Sequence, residues 1–278
     1  MTARITGLVN TLNAADTLDL CLASMRDHVD ELLVVDMHSS DETVAIAESF
    51  GARVLMHEPV GYVEPARTFG IDAAAHEWIV ILDADEVMPP LLGQRLRDIA
   101  QRDEADVVVI GRRNHLFGAV AEHGPFGPQV DRHRRFFRRT SLMHSPRIHV
   151  PPEPVPGARE LALPPTQDLC LTHFAYVDLS DWAQRSDRYT TIEARSALES
   201  SAHAPKTSRV LMSALKAFLD GYVRQRGFRD GWRGLHTALA LASYRLTVGL
   251  KAQQLARVGD AAEVRRRYRE DAARVIGS

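Results

Sequence analysis

A chain of 278 residues, 45% hydrophobic and 25% charged with a net charge of −2, has the composition of an ordinary soluble protein with a sizeable core. Its two cysteines, Cys21 and Cys170, match no metal or redox spacing, which argues against a disulfide framework and favours buried thiols. The first residues lack the features of a signal peptide and no uncharged apolar stretch could span a bilayer, so a cytoplasmic protein is expected.

Short apolar runs alternate with helical patterns through the first half of the chain. Five runs rich in Val, Ile and Leu predict strands at 5–11, 31–36, 52–56, 78–82 and 106–112. Helices are predicted between them at 16–28, 41–50, 65–76 and 90–102. Ser39 and Glu42 have the spacing of a capping box for the second helix, and Gly51 is placed as its stop. This alternation is typical of an α/β fold with a mostly parallel, doubly wound sheet.

Acidic residues follow two of these strands. Asp36 closes the second strand in VVDMHSSDET, and the run WIVILDADE leads from the fourth strand into Asp83, Asp85 and Glu86. Carboxylates this close repel one another unless a positive partner lies between them. Ligands of open parallel sheets bind at this edge, where magnesium or manganese takes carboxylates together with substrate phosphates. Asp83 and Asp85 point the same way on an extended backbone, although one of them could instead cap the next helix.

The second half of the chain is organised differently. Prolines interrupt a His- and Arg-rich stretch at 113–170, and loops of this length are usually functional or disordered. Its cluster RHRRFFRR (132–139) is alternatively a solvated strand with two core phenylalanines. From about 180 onward the pattern is helical, and residues 204–278 carry +9 against −11 for residues 1–203. This basic, aromatic tail suits a membrane face or a partner groove, although solvated helix faces give the same count.

Three N-terminal segments resemble the family 2 glycosyltransferases of GT-A fold in their order and spacing. They are ITGLVNTLNAADTLDLCLASM, LLVVDMHSSDETVAIAESFGARV and GYVEPARTFGIDAAAHEWIVILDADEVMPP. The chain is most similar to the small bacterial branch of lipopolysaccharide-core glucosyltransferases, which it also resembles in RFFRR, LTHFAY and GFRDGWRGL. The resemblance implies a GT-A (Rossmann-like) catalytic domain over 1–178, with acceptor and active-site loops at 113–170, and a helical, basic region over 179–278.

The resemblance also implies a reaction and its residues. The expected reaction is metal-dependent, inverting transfer of a sugar from a nucleoside diphosphate sugar, with a UDP-sugar as donor and Mn²⁺ or Mg²⁺ as cofactor. The residues expected to bind the donor are Asp36, Asp41, Arg67, Asp83, Arg135 and Arg138. The residues expected at the metal are Asp85, His149 and His173. Simpler roles stay open, because Asp41 could only favour a helix dipole, Arg67 could pair with a surface acid and either histidine could be structural.

Inverting transfer needs a general base for the acceptor hydroxyl. Relatives often carry a His-Glu pair where this chain has His149-Val150, so the base must lie elsewhere. Glu153 is the predicted base, with Asp131 and Glu122 as alternatives.

Several partners and activities remain as alternatives. The acceptor is a glycan, a lipid-linked or a small molecule, in cell-envelope or other glycoconjugate synthesis, and the basic tail would dock the enzyme at the membrane's inner face. A natural-product transferase with a soluble acceptor or a non-catalytic nucleotide-sugar-binding protein would share these features. A nucleotidyltransferase is disfavoured because LNAADT, after the first strand, lacks the Gly-rich basic loop of that class. Nucleic acid is not an expected partner.

Overall fold

The computed structural model describes residues 3–145, 150–200 and 204–277. Its helices are α1 (Leu18–Met25), α2 (Thr43–Ser49), α3 (Glu64–Ala73), α4 (Pro90–Arg102), α5 (Leu179–Glu199), α6 (Thr207–Leu219), α7 (Gly231–Val258) and α8 (Ala261–Gly277). Its strands are β1 (Ile5–Thr11), β2 (Glu31–Asp36), β3 (Arg53–Met56), β4 (Trp78–Asp83), β5 (Glu86–Val87), β6 (Val107–Leu116), β7 (Ala119–Val120), β8 (Arg132–Arg138), β9 (Leu142–Met143), β10 (Glu153–Pro154), β11 (Glu160–Ala162) and β12 (Leu171–Tyr176).

Two compact units make up the chain. The first contains Met1–Glu122 and Phe126–Ala175, and the second contains His123–Pro125 and Tyr176–Ser278. The α/β class, the parallel sheet flanked by helices and the helical C-terminal part are confirmed.

The first unit is built on a sheet with a parallel half. Its strands run in the order β3-β2-β1-β4-β8-β6-β12-β5. The four strands β3, β2, β1 and β4 are parallel, and they bring Thr11, Asp36 and Asp83 to one edge of the sheet. From β8 onward the pairing is mostly antiparallel, with β8 between β4 and β6.

Helices cover both faces of the parallel half, and for this reason its central strands carry apolar residues on both faces. Along β4, Trp78, Val80 and Leu82 belong to the apolar cluster packed on α1 and α4, while Ile79 and Ile81 belong to the cluster packed on α3. The alternation follows from the two-residue period of a strand. Both cysteines are buried free thiols, as predicted.

The proline-interrupted stretch contains more strand than the sequence indicated. The cluster RHRRFFRR forms β8, and both of its phenylalanines are fully buried. Because neighbouring side chains of a strand face opposite ways, Phe136 joins one apolar cluster and Phe137 the other. Phe136 also stacks on Trp78, with ring centroids 4.6 Å apart. The strand alternative for this segment therefore holds for its phenylalanines.

The predicted capping box of the second helix is wrong. The helix α2 begins at Thr43, and Ser39 lies in the preceding turn, where its hydroxyl donates to Asp36 rather than capping the helix. In a capping box the serine oxygen accepts from the backbone amide three residues on, whereas here it accepts from the Asn13 backbone amide and the helix begins only at Thr43.

The second unit is a helical assembly. Lys251 on α7 donates to the Asp187 carboxylate and to two threonine hydroxyls of α5. A sharp corner precedes α7, and it explains the glycines of GFRDGWRGL. A Cβ on Gly234 would lie 1.7 Å from the carbonyl oxygen of Gly227, a separation no side chain could occupy. Asp230 of the same corner accepts from the backbone and ring of His123.

No helix in the described ranges 3–145, 150–200 and 204–277 combines the length and apolar character needed to cross a membrane.

Candidate active site

Asp36, the first of the predicted donor-binding residues, is enclosed by its own chain. Its carboxylate is fully buried and accepts from the Thr11 hydroxyl at 2.9 Å, the Ser39 hydroxyl at 2.6 Å and the Ser39 amide at 2.8 Å. These bonds hold the turn that follows β2. Asp36 thus lies at the predicted edge of the sheet, and within the described structure it shapes the loop around the site.

Hydrogen bonds tie the loop after β1 to the loop after β2. Asn13 adopts the left-handed region, with φ 51°. Its side-chain oxygen accepts from the Ser40 backbone amide, and its backbone amide donates to the Ser39 hydroxyl, each at 2.8 Å. Asp41 accepts from the Ala15 amide across the same gap. A hydrogen bond from Thr43 to Asp41 lowers the pKa of this exposed carboxyl. Asp41 therefore connects the two loops, which is a structural role beyond the helix-dipole alternative.

Asp83, at the end of β4, is held between two arginines. Arg67 on α3 donates to its Oδ1 at 2.8 Å, and Arg135 on β8 donates to its Oδ2 at 2.6 Å. Burial favours the neutral acid, but the charges of Arg135 and Arg67 outweigh burial and hold the pKa of Asp83 well below its usual range. The carboxylate keeps 31% of its surface exposed, so it can still accept a hydrogen bond from a ligand.

Glu86 is the buried counterpart of Asp83, and no role was predicted for it from the sequence. It is fully inaccessible to solvent and accepts from Arg135 at 2.9 Å and from Arg112 at 3.2 Å. Its other oxygen accepts from the Asp83 amide at 2.9 Å, which fixes the backbone of the turn. Arg135 therefore neutralises the carboxylates of both Asp83 and Glu86. The protein itself thus supplies much of the positive charge that the acidic residues of WIVILDADE need.

Asp131 lies in the same network, at the start of β8. Its oxygens accept from Arg112, Asn114 and His133 at distances of 2.6 to 3.1 Å. Burial raises the pKa of Asp131, but the hydrogen bond from His133 and the charge of Arg112 dominate and hold it far below the usual range. A carboxylate surrounded by donors in this way is a poor proton acceptor. The structure thus gives Asp131 a positioning role in place of the alternative role as general base.

The neighbours of His173 determine which of its ring nitrogens carries the proton. The Asn114 side-chain nitrogen lies 2.7 Å from both the Phe126 carbonyl oxygen and an Asp131 oxygen, and these two atoms only accept. The Asn114 oxygen must then face His173 Nδ1 and accept its proton, at 2.5 Å. In the neutral imidazole the lone pair is then on Nε2, which lies 3.4 Å from Asp85 Oδ1. A neutral imidazole with its second nitrogen hydrogen-bonded is the form in which histidine binds metals.

Asp85 and His173 offer a pair of metal donors. In the part of the chain that the structure describes, no three or more His, Cys, Asp or Glu side chains group as a metal site. A magnesium ion, however, commonly takes only one or two protein ligands, with phosphates and water completing its shell. Neighbouring ligands of an octahedral ion at 2.1 Å lie about 3 Å apart, close to the separation of these two atoms. The donor set fits an ion shared with a substrate diphosphate.

Arg138 lies away from this cluster, Glu153 belongs to a different sheet, and His149 lies outside the described residues. Arg138 sits opposite Trp78 at the start of β4, about 16 Å along the strand from Asp83. There it pairs with Glu77 and covers the Trp78 ring at 4.6 Å, so it is not placed as a diphosphate clamp. Glu153 is exposed in β10 and pairs with β9 in a separate two-stranded sheet. His149 lies outside the described residues.

The alternative base Glu122 accepts from Arg113 at 2.6 Å.

Sequence reasoning missed Arg112, Asn114 and His133, which the structure brings to the cluster. For Arg112 a signal was available, since a basic residue following a buried apolar strand must find an acidic partner.

The comparisons with known proteins point to one family. The sequence model described as glycosyl transferase family 2 matches residues 8–151, about half of the chain. A TPR repeat-containing protein of Synechococcus elongatus is 39% identical over 106 residues, which cover 38% of this chain and 26% of that protein. An uncharacterized glycosyltransferase of Rickettsia bellii is 33% identical over 106 residues, covering 38% and 36%. The matched segment thus spans only about a quarter to a third of these relatives.

Similar solved structures were also found. Staphylococcus aureus TarS aligns with a TM-score of 0.48 at 12% identity, covering 90% of this chain and 55% of that chain. Glucosyl-3-phosphoglycerate synthase of Mycobacterium tuberculosis, solved with Mn²⁺, UDP and glucosyl-3-phosphoglycerate, aligns with a TM-score of 0.32 at 23% identity, covering 41% and 44%.

Proposed function

The chain belongs to glycosyl transferase family 2, and we propose that it transfers a sugar from a nucleoside diphosphate sugar to an acceptor hydroxyl, with a divalent metal and with inversion at the anomeric carbon. The observation that carries the proposal is the pair of donors Asp85 and His173, beside the anionic Asp83 at the carboxyl edge of β4. The expected metal is Mn²⁺ or Mg²⁺ and the expected donor is a UDP-sugar.

Each residue of the cluster has a task in this scheme. Asp85 and His173 would hold the metal, which when bound neutralises charge on the diphosphate leaving group. Asp83 stays ionised because of its arginines and would accept from a ribose hydroxyl. Arg67, with 24% of its side chain exposed, can turn a guanidinium proton toward the diphosphate, whereas Arg135 is buried and would hold Asp83 in place.

The reaction is a single displacement. The acceptor oxygen forms a bond to the anomeric carbon while the bond from that carbon to the phosphate oxygen breaks, and a carboxylate takes the acceptor proton. We propose that Glu153, an exposed carboxylate, accepts this proton, because Asp131 is enclosed by hydrogen-bond donors. Replacement of Glu153 by Gln should lower kcat by a factor on the order of 100 or more and leave donor binding unchanged. Equal kcat in the two proteins would place the base elsewhere.

Ligand-dependent melting tests the donor site. Wild type is heated with UDP, GDP, dTDP or CMP, in manganese or in EDTA. At about 100 times its Kd a ligand adds roughly 2.7 kcal/mol of stability. A manganese-dependent rise with one diphosphate should vanish in Asp85→Asn and persist in Asp27→Asn, whose exposed carboxylate is a matched control. A rise that survives in Asp85→Asn would refute the metal assignment.

Turnover separates the two remaining alternatives. Release of UDP from UDP-glucose in the presence of candidate acceptors measures transfer. Binding of a nucleotide without turnover across lipid-linked, glycan and small-molecule acceptors would favour the non-catalytic binding protein. Turnover with a small aglycone would favour a natural-product transferase, and turnover with a glycan or lipid-linked acceptor would support a role in cell-envelope synthesis.

A further inference from the structure

A stripe of large apolar side chains lies exposed on the outer face of α6 and the π-helical turn that continues it. Leu211, Leu215, Leu219 and Val223 follow one another at intervals of four residues, which places them along one side of a helix. Between 46% and 56% of each residue is exposed. Met212, beside them, is 62% exposed. These five residues are called the α6 stripe below.

The stripe differs from an ordinary solvated helix face. The other side of α6 is already packed, because Val210 is buried against Gly249 of α7. A surface helix normally turns charged residues toward water on the side opposite its core. Residues Thr207–Leu219 contain no acid, and their charges are Arg209 and Lys216, which border the stripe on one side. Contiguous exposed apolar surface of this kind marks an interaction site.

The chain segment that carries the stripe is strongly basic. Residues 206–233 contain seven Lys and Arg and two Asp. Each aspartate has a partner within the unit, since Asp220 pairs with Arg224 and Asp230 pairs with His123. Trp232 is 53% exposed, and tryptophan is enriched where protein meets a membrane interface. The α6 stripe of exposed apolar side chains therefore belongs to a segment with a net positive charge.

We propose that the α6 stripe docks on an anionic lipid bilayer surface, lying in the plane of the headgroups. Basic residues beside an apolar helix face are the features of interfacial helices that bind anionic lipids. The charge disfavours a second copy of the chain as the occupant, because a symmetric contact would bring the same basic segments together. This proposal goes beyond the proposed function and does not depend on it.

Co-sedimentation of the full-length protein with lipid vesicles tests the proposal. Vesicles of phosphatidylcholine alone are compared with vesicles that also contain phosphatidylglycerol. Wild type should bind the anionic vesicles, and high salt should release it. Leu215→Glu should lower the partition coefficient more than tenfold, since it removes a buried Leu and adds a repelled charge. Lys216→Gln should lower it about fivefold, the effect of one basic residue near an anionic surface.

Controls separate docking from misfolding and from other basic surfaces. Leu20→Glu places the same change on an exposed leucine of α1 and should bind vesicles as wild type does. An unchanged melting temperature in Leu215→Glu shows that the helix still packs. The proposal would be overturned if wild type did not bind anionic vesicles, or if Leu215→Glu bound them as strongly as wild type. If light scattering showed that wild type is a dimer and that Leu215→Glu is a monomer, the proposal would also be overturned, in favour of self-association.

Discussion

Replacing Asn114 by Leu removes the group that orients His173. Asn114 is fully buried and makes three hydrogen bonds, two as donor and one as acceptor. The change leaves the Phe126 carbonyl and the His173 Nδ1 proton without these partners, while Asp131 retains Arg112. Each buried group left unsatisfied costs about 1–3 kcal/mol, so we expect a loss of about 2–5 kcal/mol in the free energy of unfolding.

The effect on metal binding is distinct from the effect on stability. Without the Asn114 oxygen, His173 can rotate or exchange tautomers, and Nε2 no longer presents a fixed lone pair beside Asp85. Loss of such supporting hydrogen bonds lowers metal affinity by about 10–100-fold. Titration of Mn²⁺ in the presence of UDP, followed by electron paramagnetic resonance, measures this affinity without turnover. The matched control is His115→Leu, which changes the next residue of β6, whose ring contacts Phe174.

A second substitution at the same position distinguishes orientation from general damage. Asn114→Asp keeps an oxygen for the His173 proton but places a carboxylate against Asp131. It should therefore lose stability and retain most of the Mn²⁺ affinity. If Asn114→Leu binds Mn²⁺ as tightly as wild type while Asp85→Asn does not bind it, the inferred orientation of His173 is refuted.

Three further predictions concern stability. Arg135→Met removes the cation that Asp83 and Glu86 share, leaving each with one other arginine, and should cost about 3 kcal/mol in urea unfolding. Arg134→Met, which removes a partly exposed pair with Glu160, should cost about 0–1 kcal/mol. Gly234→Ala forces a methyl group into a backbone oxygen and should cost about 3 kcal/mol or more, so an unchanged melting temperature would show that this corner can relax. The hydrogen bond from Arg159 lowers the pKa of Asp106 to about 2, so its stabilisation is complete above its unfolded pKa near 3.8 and is lost as pH falls through about 2. The stability gap between wild type and Asp106→Asn should accordingly shrink as pH is lowered from 5 to 3, and a constant gap would contradict this pKa.

The parallel half of the sheet was predictable because its signal is local. Strands covered on both faces are continuous apolar runs, and the carboxylates that end them must lie at one edge. For this reason Asp36 and Asp83 could be placed from the sequence, although the sequence did not indicate that Asp36 is enclosed by Thr11 and Ser39. The cluster RHRRFFRR lacks this signal, because only two of its residues are apolar, and for this reason a strand was only one of two alternatives for it.

The network in which Arg112 and Arg135 pair with the acidic residues of the site could not be predicted in the same way. Asn114 on β6, Arg135 on β8 and His173 on β12 come from strands that are separated in the sequence, and their meeting depends on the order of these strands in the sheet. No spacing in the sequence records which arginine of RHRRFFRR faces Asp83 and which faces Glu77. The register of β8 on β4 decides this, because it sends Arg135 toward one end of the strand and Arg138 toward the other.

The hydrogen bonds among Asn13, Ser39, Ser40 and Asp41 bear on how quickly a ligand is captured. Loops that must be ordered by a ligand lose conformational entropy at the moment of binding, and association then shows a slow step after the encounter. In this protein the two loops around the site hold each other in place through their own hydrogen bonds, so this ordering takes place during folding. A ligand that binds at this edge should therefore associate without a slow loop-ordering step.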